Sequence, residues 1–374
     1  MKSFTGAARK YFKNLDKLLL LAVVICTLLG ITLLYSLAAN GTIEHRDFKT
    51  QSVSMIIGFT ICIVISFFDY QSIAKLWFLY VPAALIPVLL TFTSLGVGVD
   101  GADDVAWLRI GTISFQPAEI LKIAFLLSFS FHLYKVREDL NNLINIFLLC
   151  VHGAIPVLLV VKQGDHGTAL VFIMMFLVML YSAGLSIFYI IPALLTVPVA
   201  AFFAWQYLLG PVQKDRILIL FNPGTDPEGI EWQQDLGLAD LASGGTFGNG
   251  LFDGKRNVNP EIHNDFIFAY VGYVFGFVGC VALIFLLAFI CIKIITDSRI
   301  AKDELGKNIC MGAFAMIFTH CTMNIGMVLK VMPVIGIPLP FVSAGGTALV
   351  SMYVIIGLVL SARQHNEKIY RMFA

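Results

Sequence analysis

The sequence predicts an all-α, polytopic membrane bundle of about ten transmembrane helices, with one large outer loop between the seventh and eighth. Three observations carry this. Of 374 residues, 58% are hydrophobic and 13% charged, about half the charge of an ordinary soluble domain. Apolar runs such as Leu18 to Ala38, Trp77 to Leu95 and Gly279 to Ile295 approach or reach the roughly 20 residues that cross a bilayer core. Lys and Arg are unevenly divided between alternate connecting segments, as the positive-inside rule requires.

Apolar runs between polar breaks place spans at 18–38, 52–68, 76–95, 114–134, 142–161, 167–183, 186–209, 265–295, 308–328 and 346–362. The first follows a basic tail, 1–17, resembling a signal peptide, but its run is longer than a signal h-region and reads as an anchor. Ser182, Ala183 and Gly184 form the tight turn between the sixth and seventh. With the N-terminus inside, fifteen of the 25 Lys and Arg residues fall on the inner side and nine on the outer. Both termini, including the tail 363–374, are therefore expected inside, with Trp107, Trp205 and Trp232 near the outer interface. The whole chain, 1–374, reads as a single membrane domain.

The outer segment 210–264 is far longer than a usual connection. Within it, Trp232, Leu236, Leu238 and Leu241 among Glu231, Asp235 and Asp240 suggest a short amphipathic helix on the membrane surface. The glycines of Ser243 to Gly254 offer backbone N–H groups that suit an anion. From Met323 to Thr347, Gly and Pro crowd at membrane depth, where broken backbone survives only inside protein or along a cavity. A re-entrant segment is expected.

Net charge is +1, which points to no nucleic-acid partner. The seven cysteines lie within or beside apolar runs without metal-ligand spacing and read as small buried hydrophobes. No metal site is evident.

Ionisable groups at membrane depth are costly and are therefore candidates. Glu119 and Lys122 stand three apart on one face, as an ion pair joining helices or a charged wall. Asp165 and Asp265 each precede a span, where capping is the plain reading. Gln213, Lys214 and Arg216 follow the seventh span as snorkelling groups or a phosphate site. His263 has no second ligand at metal spacing.

Taken together, FQPAEILKIA from Phe115, QGDHGTALVF from Gln163, SGGTFGNGL with HNDFIFA, and NIGMV followed by PVIGIPLPFVSAGG resemble the SEDS family (shape, elongation, division and sporulation). These bacterial membrane glycosyltransferases include RodA and FtsW. The resemblance runs from the first span to the C-terminus and leans toward RodA. It implies an enzyme of the cytoplasmic membrane that polymerises lipid II, the disaccharide-peptide on undecaprenyl pyrophosphate, into peptidoglycan strands.

By motif position, Asp265 corresponds to the family's essential outer carboxylate, and Glu119 with Lys122 to its ion pair. Asp165 corresponds to its second acidic motif, while Gln213 and Arg216 correspond to polar positions opening the large loop. Asp265 is then the expected general base. Lys122, Arg109, Lys214 and Arg216 are cations available to the pyrophosphate, and Ser343 lines the same cavity. The resemblance fixes no cofactor, and a divalent cation such as Mg²⁺ is a candidate aid. A class B penicillin-binding protein, a transpeptidase, is the implied partner beside membrane lipids.

The sequence departs from the family's pattern at Gly272 to Phe277, where two acidic residues are absent, at Ser343 to Ala348, and at Leu236 and Gly237. Two other classes remain open: a flippase for lipid-linked precursors, since broken helices and an internal polar pair suit transport, and a non-catalytic cell-wall scaffold.

Overall fold

A computed structural model describes residues 14–98, 105–111, 113–222, 224, 229–253 and 259–364. The basic residues Lys2, Arg9, Lys10, Lys13, Lys255, Arg256, Lys368 and Arg371, counted above, lie outside the described residues.

Helices α1 (Lys17–Ala39) and α2 (His45–Phe67) lead to a short α3 (Tyr70–Lys75) and α4 (Trp77–Leu90). A small antiparallel sheet follows, β1 (Gly96–Val97), β2 (Trp107–Ile110) and β3 (Ile113–Phe115), in the order β1-β2-β3. Then come α5 (Pro117–Lys135), α6 (Leu143–Lys162), α7 (His166–Ala183) and α8 (Ile187–Phe203), which ends in a π turn over Ala204–Leu208. Two further helices, α9 (Pro211–Phe221) and α10 (Ile230–Ser243), precede α11 (Ile267–Ile300), α12 (Glu304–Val328) and α13 (Gly346–Gln364).

Seven of these are long and apolar enough to cross a membrane. The other three spans depart from that pattern for visible reasons: α4 is short, α5 carries Glu119 and Lys122, and α8 has 17 residues. The chain is a multi-pass membrane protein. Helices α2 and α12, the second and ninth expected spans, begin earlier than the hydropathy suggests, at His45 and Glu304, because polar first turns extend them beyond their apolar runs. Gly184, left-handed at φ 93°, ends α7 at the expected turn.

The core lies among α1, α2, α5, α7 and α11–α13. Here α13 packs along α2, α12 lies against α7 and α11, and α8 stands at the margin with Phe188 and Leu195 exposed. Six cysteines are buried as expected; Cys150 is exposed.

Within the large outer loop, two helices, α9 and α10, occupy more than half of the described residues. An amphipathic helix does form as α10, but its polar stripe Glu231, Gln234 and Asp240 is buried and Trp232 is exposed, while Gly237 and Leu241 face Ala269 and Gly272 of α11. Gln234 explains the inversion: its amide donates to the Met327 carbonyl at 3.0 Å, filling an acceptor at the end of α12.

The glycine-rich segment also uses several of its backbone groups to hold the fold. Asn249 and Gly250 donate to the carbonyls of Tyr273 and Val274, while Phe277 and Val278 donate to Gly245 and Thr246. These bonds bridge a kink in α11 at Gly276, where φ is 65°. A Cβ on Gly244 would fall 1.9 Å from the Gly272 carbonyl oxygen, so glycine is required by close backbone approach.

The segment from Lys330 to Gly345 re-enters the protein, with Ile337, Leu339 and Val342 buried. Gln51 on α2 donates to the Ser343 carbonyl at 2.8 Å and accepts from the Gly345 N–H at 3.1 Å. Broken backbone at this depth is thus satisfied inside protein.

Candidate functional site

A short turn before α11 builds the site. Asn259 accepts from the Glu261 N–H at 3.1 Å, and Phe266 donates to the Glu261 carbonyl, closing the turn on which Asp265 stands. Helix α11 then starts at Ile267 with no side-chain cap. Asp265 therefore caps nothing, contrary to the plain expectation for a carboxylate before a helix.

Three successive carbonyls of this turn are tied down instead. His263 accepts from the Ala344 N–H, Asn264 from the Ser343 hydroxyl at 2.6 Å, and Asp265 from the Asn324 amide at 2.7 Å. Donors come from the re-entrant segment and α12, so tertiary contacts fix the backbone, while the Asp265 carboxylate accepts no hydrogen bond among the described residues.

The side chain is half-buried beside Gly336, where a Cβ would stand 3.6 Å from its Oδ2. Burial pushes the Asp265 carboxyl up to about 7; the Glu261 charge adds to this, Arg216 opposes it, and Asp165 adds again. Removing water disfavours the ionised form, and two neighbouring carboxylates do likewise. The result is a carboxyl poised to take up a proton near neutral pH.

Asp165 does cap, as expected: it begins α7 by accepting from the Thr168 N–H at 2.8 Å. It also accepts from the Gln116 amide at 2.6 Å, joining α7 to the start of α5. Arg216, on α9, donates to the Val334 carbonyl at 3.1 Å; its buried Nε finds no acceptor among the described residues. Gln213 lies half-buried one turn earlier on the same helix.

Glu119 and Lys122 pair at 2.7 Å, and both are buried, Lys122 at 0% exposure. Ser351 on α13 donates to the second Glu119 oxygen at 2.5 Å. Lys122 is thus part of an interhelical tie that joins α5 to α12 and α13.

Lys214 lies 5.9 Å over the Trp205 ring, which engages its charge elsewhere. Arg109 is exposed on β2, its Nε 3.4 Å from the Ser114 hydroxyl. Ser343 is buried and holds the Asn264 carbonyl, a structural bond within the site's frame. The structure therefore brings Asp265, Asp165 and Arg216 into one electrostatic neighbourhood.

Sequence reasoning missed Glu261, Asn324, Gln116 and His320. Asn324 and Gln116 sit inside the quoted motifs NIGMV and FQPAE, and their position there was the available signal.

Residues 16–368 match the FtsW/RodA/SpoVE family, described as cell cycle proteins. The chain belongs to this family. It is 32% identical over 298 residues to the peptidoglycan glycosyltransferase MrdB of Escherichia coli, covering 78% of this chain and 79% of the relative. It is 29% identical over 370 residues to a probable peptidoglycan glycosyltransferase FtsW of Trichlorobacter lovleyi, covering 94% of each.

Among solved structures, one from work on coordination of polymerization and crosslinking by a peptidoglycan synthase complex aligns with TM-score 0.79 and 24% identity. It covers 94% of this chain and 99% of that one. The rod shape determining protein RodA of Thermus thermophilus aligns with TM-score 0.70 and 23% identity, covering 94% and 98%. Both share the fold of this chain.

Proposed function

We propose that this family member is a peptidoglycan glycosyltransferase that polymerises lipid II at the outer face of the bacterial cytoplasmic membrane, with Asp265 as general base. One observation carries the assignment of Asp265. Its backbone is pinned by neighbouring elements, while its carboxylate is uncapped, partly accessible and raised to about 7.

An acceptor sugar hydroxyl attacks the anomeric carbon of the donor. As the new C–O bond forms, its proton passes to an Asp265 oxygen, and the anomeric C–O bond to phosphate breaks with its electron pair leaving on the lipid pyrophosphate. Arg216, whose Nε has no acceptor among the described residues, would meet that developing charge. Gln213 and Asp165 border the same region, whereas Glu119 and Lys122 support it from within the bundle. A divalent cation such as Mg²⁺ would find Asp265 and Glu261 as carboxylate neighbours and would neutralise pyrophosphate charge when bound. No step here requires it.

The excess of Lys and Arg on one side supports both termini inside, which puts the Asp265 turn outside. The partner that fits this reading is a class B penicillin-binding protein acting on the nascent strand. The test compares native protein with Asp265→Ala on lipid II in proteoliposomes. Polymer from the native chain and none from a folded variant is expected. Transbilayer movement of lipid II without polymerisation by the native chain would establish the flippase reading instead.

A further inference from the structure

His320 lies one helical turn before Asn324 on α12, and both side chains reach the re-entrant segment. The imidazole is 2% exposed. Its Nδ1 stands 3.2 Å from the Pro338 carbonyl oxygen, and its Nε2 3.3 Å from Lys122 Nζ. A carbonyl only accepts and an ammonium only donates. These two partners therefore select one form of the ring: a proton on Nδ1, given to Pro338, and a lone pair on Nε2, accepting from Lys122. An imidazolium would aim an N–H at the ammonium, which excludes it from this arrangement.

Asn324 holds the adjoining carbonyl, donating to Ile337 at 2.8 Å and to Asp265 at 2.7 Å. Two side chains of one helix thus grip consecutive residues of the re-entrant segment, immediately after the glycine that faces the Asp265 carboxylate. The chain of contacts is continuous: Ser351, Glu119, Lys122, His320, Pro338, then Ile337 and Gly336 beside Asp265.

We propose that His320 is a positioning residue for Asp265, coupling the buried Glu119–Lys122 pair through Pro338 to the Gly336–Ile337 backbone against which the carboxylate stands. The inference rests on Asp265 being the general base. It gives Lys122 a role in the reaction that needs no contact with substrate. The charged groups facing the two ends of this relay are Lys122 and Glu119 at His320, and Glu261, Asp165 and Arg216 at Asp265.

The test uses the full-length chain, purified, with His320→Asn, His320→Gln, His320→Leu and an Asp265→Asn control. Lipid II polymerisation is measured across pH 5.5–9, an assay window of roughly the usual width, beside thermal unfolding of each variant. Asparagine keeps a donor at the Nδ1 position and so the Pro338 bond, but loses the acceptor for Lys122; its kcat is expected to fall about threefold, the share carried by the Lys122 link, with the acid limb nearly unmoved. Glutamine and leucine lose that donor; kcat is expected to fall about tenfold or more with KM for lipid II nearly unchanged, and the acid limb to shift.

Native kcat and acid limb in His320→Leu would overturn the inference. So would parallel losses of activity and melting temperature in all three variants, which mark a purely structural residue. The control separates the two readings: an inactive Asp265→Asn beside a fully active His320→Leu leaves the general base standing and removes only the relay, whereas an active Asp265→Asn removes both.

Discussion

The two ends of α11 each present an aspartate, and the protein treats them in opposite ways. Asp297, near the C-terminal end, is fully buried and paired with Arg363. The same Arg363 lies 2.9 Å from Asp16, which also meets Lys293 at 2.6 Å and caps α1 through the Leu18 and Leu19 N–H groups. Two carboxylates and two cations thus lock α1, α11 and α13 together. At the other end Asp265 has its backbone secured and its carboxylate left without a cap or an ion-pair contact among the described residues. A carboxylate paired with protein cations holds the fold; one held only by its main chain is available for a substrate proton.

The widest separation between the two ends should come from Asp265→Asn. Polymerisation is expected to fall about 10²–10⁴-fold, the usual contribution of a general base, with no loss of melting temperature. At pH 8 the variant should melt higher than native. Native Asp265, with its pKa raised to about 7, binds more protons folded than unfolded between the ordinary carboxylate pKa and 7. Its contribution to stability is therefore present at low pH and declines as pH rises through that window. A lower melting temperature in the variant at pH 8 would make Asp265 structural and erase the contrast.

Asp297→Ala should do the reverse. It leaves Arg363 with Asp16 and the Asn14 carbonyl, and a loss of about 2–3 kcal/mol is expected, below the roughly 3–5 kcal/mol of an isolated buried pair. Activity per folded molecule, measured as kcat on the surviving fraction, should stay within about threefold.

The pH profile comes next in size. A base must be ionised, so kcat/KM should decline below about 7 and do so about tenfold per pH unit on the acid side. An acid limb near 4 would mean that the carboxylate is solvated like an ordinary surface group. Smallest is Asp165→Ala, which removes the α7 cap and the bond to Gln116 and should cost about 1 kcal/mol in thermal or denaturant unfolding. Asp165→Asn, which keeps a capping oxygen, should recover most of it.

The contrast between these aspartates also marks how far the sequence could be read. Asp165 and Asp265 occur in the same local setting, an acidic residue before an apolar run, and capping is the same expectation for both. It holds for Asp165 because the backbone donor at Thr168 is three residues away. It fails for Asp265 because Phe266 intervenes and the turn's geometry is set by Asn324 and Ser343, 59 and 79 residues distant. The polar stripe of α10 was hidden for a similar reason: Gln234 finds its partner at Met327. His320 carries no sequence signal of its own, since the lysine that selects its ring form lies 198 residues earlier.

Local chemistry by itself determined the bundle of about ten helices, the turn at Gly184, the cap at Asp165 and the broken backbone before α13. Bilayer thickness and helix-end hydrogen bonding act over a few residues to about twenty, so such features can be read along the chain. Which carboxylate is left open, where the glycine-rich segment docks and how Lys122 is held were decided only by tertiary structure. Each depends on whether a polar group's partner is supplied by a distant helix, and folding alone brings those partners within hydrogen-bond reach.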